Sequence, residues 1–269
     1  MSLRTVYVFI GYYVTLSGFG AFGLVSSLVG WLAGALPESD RTERFFQRLI
    51  HRNFALFIAW TSFARLFHVR FHGLERLPRH RRGLVVVANH PGLTDITCLL
   101  ARIPEAVCIF KSDIRRNPVL GAAARRAGYV PNDGGHDVIR LAAVKVAAGH
   151  TLVVFPEGTR TPPGRTLLPL KSGFVLIARR AGVPIQLVHI TCTRPVLSKG
   201  RAWWKLPPLP GTQDVTFGPL IDVDPRVAIG EVVQAVEAWY HAVARAGNSA
   251  CAAGSEPFCS PVRAGSRPL

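Results

Sequence analysis

His90 and Asp95 stand in the run Asn89-His90-Pro91-Gly92-Leu93-Thr94-Asp95, just after the apolar stretch Leu84-Val85-Val86-Val87-Ala88. A strand ending there would bring the imidazole near the surface, and Pro91-Gly92 would turn the chain sharply. On a straight helix these two residues would face different sides; the turn removes that objection. Asp95 can then accept a hydrogen bond from one ring nitrogen, fixing the tautomer and stabilising an imidazolium. The other nitrogen stays free to take a proton from a hydroxyl. A turn histidine followed by an N-capping aspartate would show the same spacing.

Downstream, Val153-Val154-Phe155-Pro156-Glu157-Gly158-Thr159-Arg160 repeats the arrangement of apolar strand and polar, glycine-containing turn. Gly158 permits close backbone approach. Thr159 and nearby N–H groups can donate hydrogen bonds, and Arg160 can hold a phosphate bidentately. Lys171-Ser172-Gly173 precedes an expected helix, whose N-terminus favours an anion. Taken singly, these are an ordinary polar turn and a solvated lysine. Taken together, they describe one site where a hydroxyl is deprotonated beside an anion pocket.

The elements that must position these turns read as α/β. Short apolar runs fall at 69–72, 84–88, 106–110, 151–155, 185–191 and 215–221. Helical stretches lie near 94–102, 117–127, 136–148 and 173–181, and 225–245 reads as a final helix with Pro225 near its first turn. Strands alternating with helices imply a mixed, largely parallel sheet covered by helices. Three regions follow: an N-terminal anchor and interfacial helix over 1–67, a catalytic domain over 68–245, and a disordered tail over 246–269.

Thr5 through Pro37 carry no charged side chain. As a helix this segment would be roughly 50 Å long, against about 30 Å for a bilayer core. One tilted span fits, as does a bent or re-entrant pair, with Gly11, Gly18, Gly20, Gly23, Gly30 and Gly34 allowing bends or close helix contacts. The run is too long for a secretory signal and lacks a clear cleavage site. Arg41, Arg44, Arg48, Arg52 and Arg65 follow it and only Arg4 precedes it, which places the following domain in the cytoplasm. Residues 42–67 interleave arginines with aromatic and aliphatic residues, as in a helix lying at a membrane surface; a core-packing helix is the alternative.

The formal charge is +16, and residues 41–82 hold ten arginines against Glu43 and Glu75. That block closely follows the apolar segment, so an anionic leaflet explains the charge better than nucleic acid, for which no fold or zinc spacing is present. Arginines outnumber lysines 27 to 5, pointing to a GC-rich bacterial genome. Five cysteines, none paired at metal-ligand spacing, fit reduced thiols in a cytosol-facing domain. The remaining histidines read as surface or packing residues.

In order and spacing, three blocks resemble the glycerolipid acyltransferases, the 1-acylglycerol-3-phosphate and lysophospholipid acyltransferase group. They are His90-x4-Asp95, Phe155-Pro156-Glu157-Gly158-Thr159-Arg160 and Val183-Pro184-Ile185. The resemblance covers roughly residues 70–225. Lys111, Pro118, Gly121, Lys171 and Gly173 match family positions between and after these blocks. It implies that His90 deprotonates the acceptor hydroxyl, oriented by Asp95, and that the hydroxyl attacks an acyl thioester on CoA or acyl carrier protein. Glu157, Gly158, Thr159 and Arg160 would hold the acceptor's head, with Lys111 and Lys171 as further binding residues. Acyl-CoA or acyl-ACP would be a co-substrate; no bound cofactor, metal or covalent acyl-enzyme is implied. An acyl groove would open toward the bilayer, at a bacterial inner membrane. The family's second block usually ends in an arginine for the acceptor phosphate. Here Gly134 stands at that place, after Asn132 and Asp133, with Arg125, Arg126 or Arg140 as substitutes. A specialised bacterial lipid of the aryl-polyene kind is thus an alternative product. A non-catalytic lipid-binding relative and a basic nucleic-acid binder are the rival classes.

Overall fold

Seven strands form one sheet in the order β1-β7-β6-β2-β5-β3-β4. They are β1 (Phe67–His72), β2 (Leu84–Ala88), β3 (Ala106–Phe110), β4 (Val130–Pro131), β5 (Thr151–Val154), β6 (Ile185–Cys192) and β7 (Gly211–Ile221). All neighbours pair in parallel except β6 with β7, which is antiparallel. This computed structural model describes residues 2–253 apart from 36, 38, 79–82, 134, 163, 194–201 and 203.

Continuous apolar strands such as Leu84–Ala88 are what a sheet covered on both faces requires. Every residue of β2 is buried. Leu84, Val86 and Ala88 enter the apolar layer beneath α2 (Asp40–Phe63), α3 (Thr94–Leu100) and α4 (Gly121–Arg126). Val85 and Val87 enter the opposite layer, beneath α5 (His136–Ala147), α6 (Gly173–Ala181) and α7 (Ile229–Ala253). The mixed, largely parallel, helix-covered sheet read from the sequence is the architecture found.

Of the two arrangements weighed for the N-terminal region, the single continuous helix is the one found. This helix, α1 (Leu3–Leu32), is about 45 Å long at 1.5 Å per residue. It has the length and composition to cross a membrane. Yet one side is seated on the domain along its whole length. The Tyr7 hydroxyl donates to the Ala64 carbonyl (2.8 Å), the Trp60 indole to Thr15 (3.0 Å) and the Ser27 hydroxyl to the Val119 carbonyl (2.9 Å). Close approach needs glycine at Gly30, where a Cβ would lie 3.0 Å from the Ala122 carbonyl carbon. The other side exposes Phe9, Ile10, Val14, Leu24, Val25, Leu28 and Trp31.

One face of α2 packs on the core, the alternative weighed for it from the sequence. Phe46, Ile50 and Ile58 belong to the core beneath it, and Gln47 is buried with its amide donating to the Ala127 carbonyl (2.9 Å). Phe45, Leu56, Trp60 and Phe63 stay exposed. Ser39 caps its start by accepting from the Thr42 amide (3.3 Å), and Asp40 and Glu43 occupy its first turn.

Smaller differences have local causes. The two-residue β4 is too short to leave a sequence signal. β7 begins at Gly211 rather than 215 because its first half alternates, as in Thr212 and Asp214 outward against Gln213 and Val215 inward. The last helix starts at Ile229, beyond Pro225, and continues to Ala253, so the expected tail from 246 begins as helix; residues 254–269 lie outside the described residues.

Candidate active site

His90 follows β2, Lys111 follows β3, and Glu157 to Arg160 follow β5. These three strands are parallel neighbours, so their C-terminal ends leave the same edge of the sheet, where α/β folds collect ligands. Asn89 anchors the first turn: its amide donates to the Ile190 carbonyl (2.8 Å) and its oxygen accepts from the Ile190 amide (2.7 Å).

After Pro91-Gly92 the chain reverses into α3, and Asp95 faces inward rather than capping. Its Oδ2 accepts from His90 Nδ1 (2.8 Å) and from the Gly92 amide (2.8 Å), and its Oδ1 accepts from Gln213 Nε2 (2.8 Å). Asp95 is 1% exposed. Burial pushes its carboxyl above the usual range, against the pull of the His90, Gly92 and Gln213 hydrogen bonds. With Nδ1 bonded to a carboxylate, the ring carries its proton there, and Nε2 keeps a lone pair. The ring stacks on Phe155 with centroids 4.1 Å apart.

Glu157 has a part the sequence did not give it. Its Oε1 accepts from the His90 amide (2.9 Å), its Oε2 from the Leu168 amide (2.9 Å), and Thr161 Oγ1 donates to both (2.9 and 2.8 Å). The Thr161 amide in turn donates to the His90 carbonyl (2.7 Å). Glu157 therefore ties the two turns together. Its oxygens are taken by the protein, which corrects the expectation that it meets an acceptor.

The remaining residues surround one cavity of about 820 Å³. His90, Lys111, Gly158, Thr159, Arg160 and Lys171 line its polar part; Asp95 and Glu157 do not line it. Gly158 has φ +68°, and a Cβ there would stand 2.9 Å from Lys171 Nζ, so glycine lets the lysine lie across the turn. Lys111 pairs with Asp113 through its ammonium. The rest of the lining is mostly apolar, with Phe19 and Phe22 from α1, Phe54 and Phe57 from α2, and Leu93, Ile96 and Leu100 along α3; Ser26, Asn53 and Asn132 also reach it. The N-terminal helices thus wall the cavity, a contribution sequence reading missed because it treated them as a separate anchor.

Of the arginines offered as substitutes at the second block, Arg125 and Arg126 line a separate cleft of about 180 Å³, and Arg140 pairs with Asp137 (3.3 Å); none lines the large cavity. Gly134 lies outside the described residues. Cys98 and Cys108 are buried thiols. Burial lifts the first well above its ordinary range and the second to about 12, so both are packing groups.

A strand-end histidine held by a buried aspartate, on a largely apolar cavity also lined by Lys111, Arg160 and Lys171, defines a class of site suited to a hydroxyl and a lipid-like chain. Comparison with known proteins gives that class a family. A family model described as Acyltransferase matches residues 68–191. The lyso-ornithine lipid O-acyltransferase of Pseudomonas aeruginosa is 32% identical over 185 residues, covering 66% of this chain and 67% of the relative. The chloroplastic 1-acyl-sn-glycerol-3-phosphate acyltransferase BAT2 of Brassica napus is 31% identical over 160 residues, or 58% of this chain and 46% of the relative. The chain spans less than half the length of such plant relatives. Among solved structures, the 1-acyl-sn-glycerophosphate acyltransferase PlsC of Thermotoga maritima superposes with a TM-score of 0.67 at 25% identity, covering 89% of this chain and 95% of that one. The chain belongs to the acyltransferase family.

Proposed function

We propose that this protein moves a fatty acyl group from an acyl thioester, acyl-CoA or acyl-ACP, to a hydroxyl of a lysophospholipid, 1-acylglycerol-3-phosphate or a related acceptor. The observation that carries the reading is His90 on the wall of a largely apolar cavity, its Nδ1 2.8 Å from the buried Asp95 behind it. His90 Nε2 takes the acceptor's hydroxyl proton as its oxygen bonds to the thioester carbonyl carbon. Asp95 balances the imidazolium charge. The tetrahedral centre collapses, the C–S bond breaks, and the imidazolium returns its proton to the leaving thiolate, giving ester and free thiol. Arg160, Lys171 and Lys111 hold the anionic groups of the substrates, and the apolar walls take an acyl chain.

The exposed apolar side of α1, with Trp60 and Phe63 of α2, would rest in an anionic leaflet, with the cavity reached from the cytoplasmic face of a bacterial inner membrane. The same surface argues against a nucleic-acid partner.

A second acceptor is favoured by one observation. The lyso-ornithine lipid relative is matched over two thirds of its length, and Asp133 with Gly134 supplies no cation where a phosphate would call for one. Purified protein in detergent, given radiolabelled acyl thioester and a panel of lysolipids, separates the two. Preference for lysophosphatidate supports the first acceptor, and preference for lyso-ornithine lipid the second. Stoichiometric lipid binding without turnover of the thioester would instead identify a binding relative.

A further inference from the structure

Strand β7 points alternate residues inward, and the inward row runs Gly211, Gln213, Val215, Phe217. Val215 and Phe217 enter the core beneath α3. A carboxamide in that row is costly unless fully hydrogen-bonded, and an aliphatic residue would fill the place more simply. Gln213 is fully buried, and both polar ends of its side chain are directed at α3. Thr94 Oγ1 and Cys98 Sγ donate to its Oε1, at 2.9 and 3.5 Å. These two donors fix which way the amide lies: reversed, it would set an oxygen against the Asp95 carboxylate. Nε2 therefore donates to Asp95 Oδ1 at 2.8 Å, while the other carboxylate oxygen accepts from His90 and Gly92.

We propose that Gln213 is a positioning residue for acyl transfer, acting through Asp95 to keep its carboxylate ionised and its plane aimed at His90 Nδ1. The inference rests on the acyltransferase reading. Gln213 is not among the residues that line the cavity, so it has no contact to make with either substrate. Its hydrogen bond favours the charged carboxylate in a place where burial opposes charge. The titratable groups around Asp95 are His90, Cys98 and, beyond Cys98, Cys192 on β6; Glu157 holds the His90 backbone, and Lys111, Arg160 and Lys171 line the cavity with His90. None of these donates to Oδ1, so among the described residues nothing else replaces the amide.

The test measures kcat and KM against pH for Gln213→Met, Gln213→Glu and, in parallel, His90→Ala. Gln213→Met keeps the length and removes the donor. We expect kcat to fall about tenfold or more, as for loss of a hydrogen bond to a charged group, with both KM values unchanged. The pH below which activity is lost should rise, because the ionised pair loses support that its protonated form does not need. In Gln213→Glu the two carboxyls share one proton, so activity should hold while the pair keeps that proton and fall as it leaves on the alkaline side, a limb the parent lacks. If Gln213→Met does not fold, the shape of the Gln213→Glu profile decides. A parent-like kcat and pH profile in the folded variants, with His90→Ala inactive, overturns the inference and leaves the transfer reading standing. Full activity in His90→Ala overturns that reading itself.

Discussion

His90 and His150 each stand beside carboxylates at an end of a central strand, and they occupy opposite edges of the sheet. His90 follows β2, whereas His150 precedes its parallel neighbour β5. His90 has one carboxylate, Asp95, buried and held on every side, and its ring faces the large cavity. His150 has two, with Nε2 3.2 Å from Asp40 Oδ1 and 3.8 Å from Glu43 Oε2. These three offer ligand atoms within 4.8 Å of one another. Arg44 already pairs with Asp40 and Lys145 with Glu43, so the charges are neutralised by the protein itself. His150 lines neither the large cavity nor the smaller cleft. A histidine beside a carboxylate is therefore insufficient for chemistry. What distinguishes His90 is an enclosed, oriented partner on one side and room for substrate on the other.

The comparison breaks most sharply at Asp95. Asp95→Asn keeps the shape but removes the charge that balances an imidazolium, and acyl transfer should fall by about a hundredfold or more while the protein still folds. Radiolabelled thioester turnover with a thermal melt measures both. At the cavity's polar end, Lys171→Met should raise KM for an anionic substrate about tenfold with kcat less affected, as for loss of a charge-assisted hydrogen bond. A fall in kcat alone would mean that Lys171 acts on the reacting atoms rather than on binding. Gly158→Ala should destabilise by about 1 kcal/mol or more, since alanine resists φ +68° and its methyl meets Lys171; denaturant unfolding checks it.

The acid side sharpens the contrast between working and packing histidines. His189, on β6 and packed against the Trp239 and Tyr240 rings, has its pKa lowered from 6.5 to about 4 by burial. A lowered folded value means full stability above about pH 6.5 and loss as pH falls toward 4, amounting to ~3 kcal/mol. Burial likewise lowers His150, which adds to the loss in the same direction. Unfolding of His189→Phe from pH 7 to 4 should show a shallower decline than the parent. An identical decline would remove His189 from the account.

Much of this was legible in the chain. Buried parallel strands announce themselves as aliphatic runs, so β2, β5 and β6 fell close to their read positions, and α6 matched at 173–181. His90 and Asp95 were found because both lie within one turn, where sequence distance and spatial distance agree. Gln213 lies 118 positions from Asp95, and no local pattern ties a strand glutamine to a helix aspartate across a sheet. Glu157 was placed in the right turn and given the wrong neighbours, because a carboxylate in a motif looks the same whether it meets ligand or backbone amides. The amphipathic α2 was read as membrane-facing on its aromatics. Which aromatics face inward depends on α3 and α4, which the α2 sequence does not contain.

The most direct test sets the two histidines side by side. Acyl-thioester transfer to a lysolipid is measured for His90→Ala and His150→Ala, each confirmed folded. A loss of about a hundredfold or more is expected for the first and near-parent turnover for the second. Near-parent turnover in His90→Ala, or equal losses in both, would contradict the role given to His90.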